Sequence, residues 1–230
     1  MKQVFAVIGK RPVEGYSKTR LAAEVGEEEA YDLYNSFIDD FFSNFKKHTA
    51  KASLFFYGAP AISQTEDYFK QMFLKCQILD FQFYFQKEKP FFERLSDIFE
   101  DVRFRVGGET FVHLTGTDIP DFPFSHIKKQ NIDEADVFIG PDTDGGFYYL
   151  GSKAKNDEIF GFISEKKEDE SVVEALISRC RNLNLTVKVL NEWSDIDTRE
   201  DLETTLSRSP KEVLPLTSER YSRLLKDKDW

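Results

Sequence analysis

The side chains whose types and spacing could do chemistry fall in four short stretches, one basic and three acidic. GKRPVEGYSKTRLA (Gly9 to Ala22) gathers Lys10, Arg11, Lys18 and Arg20 into one connection punctuated by glycine and proline. The chain as a whole is acidic, with 31 Lys and Arg against 41 Asp and Glu and a net charge of -10, so this is a local basic patch. Backbone N–H groups of a loop that feeds a helix, supplemented by Lys and Arg, cradle a di- or triphosphate, and Lys18 and Arg20 are the leading candidates. The stretch is not a Walker A loop, because five residues rather than four separate Gly9 from Gly15 and Tyr16 follows the second glycine. Nor is it GxGxxG. Alternatively, the cations pair with Glu14 and Glu24 on a solvated surface loop.

Each acidic stretch has a chemical and a structural reading. LTGTDIP places Asp118 just past an expected strand, where Pro120 stops further pairing. A hard divalent cation such as Mg²⁺ or Mn²⁺ takes oxygen ligands and keeps contact with substrate phosphates, so one or two carboxylates hold it. Asp118 is the first candidate ligand; the alternative is an Asx-turn. In PDTDGGFYYLG, Asp142 and Asp144 stand two apart and Gly145 and Gly146 permit close backbone approach to a ligand. Asp144 is then a candidate for catalysis, as a base or a partner of sugar hydroxyls. The same Asp-Gly pair between apolar runs is also a strong hairpin signal. In DIDTREDL, helix capping explains Thr198 and Asp201 but not Asp197, which is the second candidate metal ligand.

Apolar runs of strand character that could position these groups occur at residues 4–9, 52–58, 81–85, 110–116, 135–140 and 185–190. Between Glu27 and Lys47 the residues Tyr34, Phe37, Ile38, Phe41, Phe42 and Phe45 recur at helical spacing on one face. Further helical patterns cover 65–75, 91–102, 124–131, 170–182 and 198–206. Near-continuous apolar strands linked by helices predict an α/β fold with a mostly parallel, doubly wound sheet in three layers. Ligands bind such sheets at the carboxyl ends of the strands, where Asp118 falls and where Asp197 follows after a short loop. Residues 1–208 form one expected domain, and 209–230 a C-terminal tail with a short helix near 218–226.

Forty percent apolar residues, with 23 phenylalanines, supply a sizeable core. Cys76 and Cys180 lie far apart without metal-ligand spacing, which indicates neither a disulfide framework nor a zinc site. The opening MKQVFAVIG is too short for a signal or membrane segment, and the acidic balance argues against DNA, RNA or anionic membranes as partners. The expectation is a cytoplasmic protein without membrane insertion; its oligomeric state is open.

Taken in order, KRPVEGYSKTRLA, FFERL, LTGTDIP, GPDTDGGFYYLG and DIDTREDL resemble the motifs of a bacterial family of uncharacterised glycosyltransferase-A-like proteins of the nucleotide-diphospho-sugar transferase superfamily. The resemblance runs from residue 4 to about 206. That family is similar to the molybdenum-cofactor and phospholactate guanylyltransferases. The resemblance implies the glycosyltransferase-A fold, phosphate binding by Arg11, Lys18 and Arg20, and a Mg²⁺ or Mn²⁺ site at Asp118 and Asp197. It also implies substrate contacts from Asp144, Gly145 and Gly146, and it includes Glu93 and Arg94 in a motif of no evident role. Lys18, Asp118 and Asp144 are the expected catalytic groups. The implied activity is glycosyl transfer from a nucleotide-diphospho-sugar to a small-molecule acceptor. Two alternatives are nucleotidyl transfer from a nucleoside triphosphate to a phosphorylated or hydroxyl acceptor with release of pyrophosphate, which better explains the crowded cations of the first loop, and noncatalytic nucleotide binding. One departure bears on the acceptor: where the family often carries tryptophan after a Phe-containing helix, this chain reads IFGFISEKKED, with Glu165 near that place.

Overall fold

Seven strands form in the computed structural model of the chain, which describes residues 1–49, 52–164 and 170–227. They are β1 (Gln3–Lys10), β2 (Ser53–Ala59), β3 (Phe81–Phe85), β4 (Phe111–Gly116), β5 (Val137–Pro141), β6 (Phe147–Lys153) and β7 (Val187–Val189). They make one sheet in the order β3-β2-β1-β4-β6-β5-β7. Pairing is parallel from β3 through β4 and between β5 and β7, and β6 alone runs antiparallel to both neighbours. The six expected strands are all present within a few residues of their expected bounds. The seventh arises because FYYLGSK turns back on β5 around the Asp-Gly pair, so the hairpin signal was the operative one there.

The helices are α1 (Thr19–Val25), α2 (Glu27–Thr49), α3 (Ser63–Lys75), α4 (Phe91–Arg105), α5 (Phe124–Lys128), α6 (Val172–Asn182), α7 (Arg199–Arg208) and α8 (Pro215–Asp227), with a 3-10 segment at Ala154–Ser164. The sheet separates two apolar cores, which makes the fold three-layered. On one face the stripe of α2 (Phe37, Ile38, Phe41, Phe42, Phe45) packs with α3, α5 and Phe56 of β2. On the other, Leu95, Ile98, Phe99 and Val102 of α4 pack with α6, the 3-10 segment and Val4, Ala6 and Leu150 of the sheet. Fully burying a side chain of this size stabilises by about 1.5–3 kcal/mol, so these two layers hold the strand ends that carry the polar groups. Among the described residues no helix is long and apolar enough to cross a membrane.

Two elements depart from the simplest sequence pattern. The short helix α1 has little periodicity of its own and is held by Leu21 and Val25, which insert into the core beside α2. The segment after residue 208 is built into the domain: Leu214, Tyr221 and Leu224 are buried. Asp40 of α2 caps α8, accepting from the backbone N–H of Thr217 at 2.8 Å and of Leu216 at 3.3 Å. Asp121 is buried among Arg208 (2.8 and 3.0 Å), Ser209 (2.6 Å) and the Trp193 indole (3.2 Å).

Candidate functional site

At the carboxyl ends of β1 and β4 a cleft of about 450 Å³ opens. Four cationic side chains, Lys10, Lys18, Arg20 and Arg94, share its lining with four aspartates, Asp118, Asp142, Asp195 and Asp197. The loop between β1 and α1 is pinned from within. Ser17, itself buried, accepts from the Val13 backbone N–H at 3.0 Å and donates to the Arg11 carbonyl at 3.3 Å. The chain then leaves the loop through Lys18, in the left-handed conformation at φ 52, where α1 begins. This conformation directs Lys18 inward, and its side chain is only 7% exposed.

The Lys18 ammonium bridges two carboxylates that lie far away in sequence, at 2.9 Å from Asp197 Oδ1 and 3.4 Å from Asp118 Oδ2. Arg20 reaches the other Asp197 oxygen at 3.2 Å. Glu24, the local alternative partner for these cations, is used elsewhere, accepting the Arg199 backbone N–H at the start of α7 at 2.7 Å. Gly116 makes room for Asp118, since a Cβ there would sit 2.5 Å from the Asp118 Oδ1 atom. The Ile196 N–H donates to the Asp118 carbonyl at 3.2 Å, which stitches the loop after β7 to the loop after β4. Asp195 and Asp197 therefore flank Asp118. Asp201 caps α7 by accepting from the Thr198 and Asp197 N–H groups, leaving the Asp197 carboxylate to the cleft.

Charge crowding perturbs these groups in a consistent way. Burial alone would lower the Lys18 pKa, but Asp118 and Asp197 outweigh it and raise the value, so the ammonium stays protonated. Burial acts to raise Asp197, yet Lys18 and Arg20 hold it below the usual carboxylate range. Asp195 is pushed up to about 7 by burial and by Asp118, with Asp197 and Asp142 adding to the effect and Lys18 opposing it. Burial, then Asp144 and Asp118, also raise Asp142. Tyr34, beneath Lys18 with its ring centroid 5.8 Å from the ammonium, donates to the Lys10 carbonyl at 3.1 Å and is pushed up by burial and by Asp118.

Of the residues singled out in sequence, the structure brings Lys18, Arg20, Asp118 and Asp197 together at one place. Arg11, whose backbone N–H is bound to the Ala59 carbonyl, is not in the cleft lining. Asp144, Gly145 and Gly146 occupy the β5–β6 turn, outside the lining, where Asp144 Oδ1 accepts the Gly146 N–H at 3.3 Å. It is Asp142 from that stretch that faces the cleft. Glu165 lies outside the described residues. Sequence reasoning gave no role to Asp195, although it stands in the same DIDT run, nor to Gln86, and read Tyr34 as core. The helical phase that places Tyr34 inward is correct, but periodicity says nothing of its hydroxyl.

A Mg²⁺ or Mn²⁺ ion fits the chemistry of this donor set, because Asp118 and Asp197 offer carboxylate oxygens that already converge on one cation, the Lys18 ammonium. Among the described residues no group of three or more His, Cys, Asp or Glu side chains is arranged as an all-protein metal cage. Two carboxylates with substrate phosphates completing the shell is the arrangement open to such an ion.

Comparison with known proteins agrees with the architecture. A family profile described as uncharacterized protein conserved in bacteria (DUF2064) matches residues 48–164. A comparison with curated proteins returns no match. Among solved structures, a "putative nucleotide-diphospho-sugar transferase" from Desulfovibrio desulfuricans G20 superposes with a TM-score of 0.74 at 24% identity over 98% of both chains. The nucleoside-diphosphate-sugar pyrophosphorylase from Vibrio cholerae RC9 follows, with a TM-score of 0.55 at 13% identity over 88% of this chain and 99% of that one. A 4-diphosphocytidyl-2C-methyl-D-erythritol synthase gives 0.55 at 8% identity over 90% and 98%. At these identities the likeness is one of fold.

Proposed function

We propose that this chain, which belongs to the bacterial DUF2064 family, is a divalent-cation-dependent transferase that moves a nucleotidyl group from a nucleoside triphosphate to a small-molecule acceptor. The observation that carries the reading is the buried Lys18 held between Asp118 and Asp197 at the strand ends, with Lys10 and Arg20 beside it. Four cations and four aspartates leave the cleft close to neutral. A triphosphate bound there needs added positive charge, and Asp118 and Asp197 are the residues that would hold it as Mg²⁺ or Mn²⁺. When bound, the ion would supply neutralisation of phosphate charge.

In this reading the β1–α1 loop grips the phosphate tail. Lys18 and Arg20 turn from their carboxylates toward phosphate oxygens and offset the charge that builds on the departing group. An acceptor oxygen attacks the α-phosphorus, the bond from that phosphorus to the bridging oxygen breaks, and pyrophosphate leaves. Asp195, which lines the cleft beside Asp118, stands where a carboxylate can take the acceptor's proton.

A second reading, glycosyl transfer from a nucleotide-diphospho-sugar, is favoured by Asp142, which faces the cleft beside Phe147 and Tyr148 where a sugar could lie. Product analysis separates the two. Incubation with nucleoside triphosphates, nucleotide sugars and an acceptor library should release pyrophosphate; release of a nucleoside diphosphate instead would establish the second reading. A cytoplasmic location belongs to the same proposal, in keeping with the free Cys76 and Cys180.

A further inference from the structure

Arg94 is a cleft cation that no carboxylate among the described residues neutralises, whereas Lys18 and Arg20 are both paired. It projects from the first turn of α4, on the face of the sheet opposite to α1, so it approaches the cleft from the layer that does not carry the phosphate-gripping loop. Its position is fixed by Gln86. The Gln86 side-chain amide donates to the Gly9 carbonyl at 3.2 Å and the Tyr57 carbonyl at 3.0 Å, while its oxygen accepts from Arg94 Nη1 at 2.5 Å. The Phe91 ring packs 5.4 Å from the guanidinium. Arg94 Nε is buried without a hydrogen-bond partner.

Gln86 engages Nη1 alone, so the immobilised guanidinium keeps Nη donors for a ligand in the cleft. The start of α4 adds to the same field: Pro90 offers no side-chain cap, and Phe91, the first helical residue, lines the cleft. Helix N-termini favour anions, and Arg is suited to two-point recognition of phosphate or carboxylate. We propose that Arg94, oriented by Gln86 at the start of α4, forms a subsite for an oxyanion on the acceptor, so that the acceptor bears a phosphate or a carboxylate. This rests on the proposed donor position at Lys18 and deepens it.

Calorimetric titration of the full chain tests it with two probes: inorganic triphosphate with Mg²⁺ for the donor tail, and inorganic phosphate, added after the triphosphate, for the acceptor. Arg94→Gln should weaken phosphate binding at least tenfold while leaving triphosphate affinity within twofold, and Arg94→Lys should weaken phosphate less. In the wild type, the Arg94 Nε–H resonance should shift on adding phosphate. Propionate in place of phosphate distinguishes the two acceptor classes, and Arg94-dependent binding of either supports the subsite. Unchanged phosphate affinity in a folded Arg94→Gln overturns the proposal. Equal weakening of triphosphate also overturns it, because the guanidinium then serves the donor. Lys18→Gln should show the reverse pattern. If it leaves triphosphate binding intact, the donor reading fails, while Arg94 is still judged by phosphate added alone.

Discussion

Replacing Lys18 with methionine keeps the side-chain volume and the left-handed backbone cost of the position, and removes only the ammonium that Asp118 and Asp197 share. Breaking a buried ion pair from one side costs about 3–5 kcal/mol. Here Asp118 and Asp197 are 36% and 39% exposed and Arg20 still reaches Asp197, so water and Arg20 absorb part of the loss and about 2 kcal/mol remains. The sign with pH follows from the shifts. The raised Lys18 pKa leaves its stabilisation fully present below the unfolded value of 10.5. The lowered Asp197 pKa means its share is present above the unfolded value of 3.8 and is lost as pH falls through the folded value. The difference between wild type and Lys18→Met is therefore greatest near neutral pH and shrinks below about pH 4.

The same substitution removes a positive charge from the place where a divalent ion would bind. Mn²⁺ alone should bind Lys18→Met several-fold more tightly, on the order of 1 kcal/mol, while triphosphate binding weakens. Denaturant melts at pH 4 and 7 and a Mn²⁺ titration followed by paramagnetic resonance measure all of this. Unchanged stability at pH 7, or weaker Mn²⁺ binding in the variant, would refute the view of Lys18 as the counter-ion of a cation site.

Other expectations concern the scaffold. His113, buried against Phe5 and bonded to Tyr149 and Gln3, is pushed down to about 3 by burial. Stability should therefore fall as pH drops from 6.5 toward 3, by up to about 4 kcal/mol, and His113→Gln should flatten that slope in acid melts; an unchanged slope counts against it. Arg208→Ala strands the buried Asp121 carboxylate and should cost about 3 kcal/mol in urea unfolding, whereas a loss below 1 kcal/mol would show that water replaces the guanidinium. Asp40→Ala removes the cap of α8 and should cost about 1–2 kcal/mol, with faster amide exchange confined to the first turn of that helix.

Most of the fold was legible because it rests on periodic burial. The α2 stripe, the apolar strands and the placement of Asp118 after β4 follow from local pattern alone. The direction of β6 was ambiguous, since Asp-Gly serves a hairpin or a ligand turn equally well, and only pairing with β4 and β5 decides it. Helix α1 escaped notice because it is short and held by Leu21 and Val25 against another helix. Asp197 could be singled out because capping accounted for its neighbours and not for it. Asp195 could not, because its raised pKa comes from burial in the assembled cleft and from Asp118, far away in sequence. Nor could Gln86, and Arg94 stood out only as part of FFERL without a role, because their partnership depends on two strand-end carbonyls meeting one amide.

Calorimetry with a panel of nucleoside triphosphates, with and without Mg²⁺, on wild type and Asp118→Asn tests the central claim most directly. Binding of at least one triphosphate that requires the metal and weakens tenfold or more in Asp118→Asn is the predicted result. Binding that is indifferent both to Mg²⁺ and to Asp118 would contradict the account.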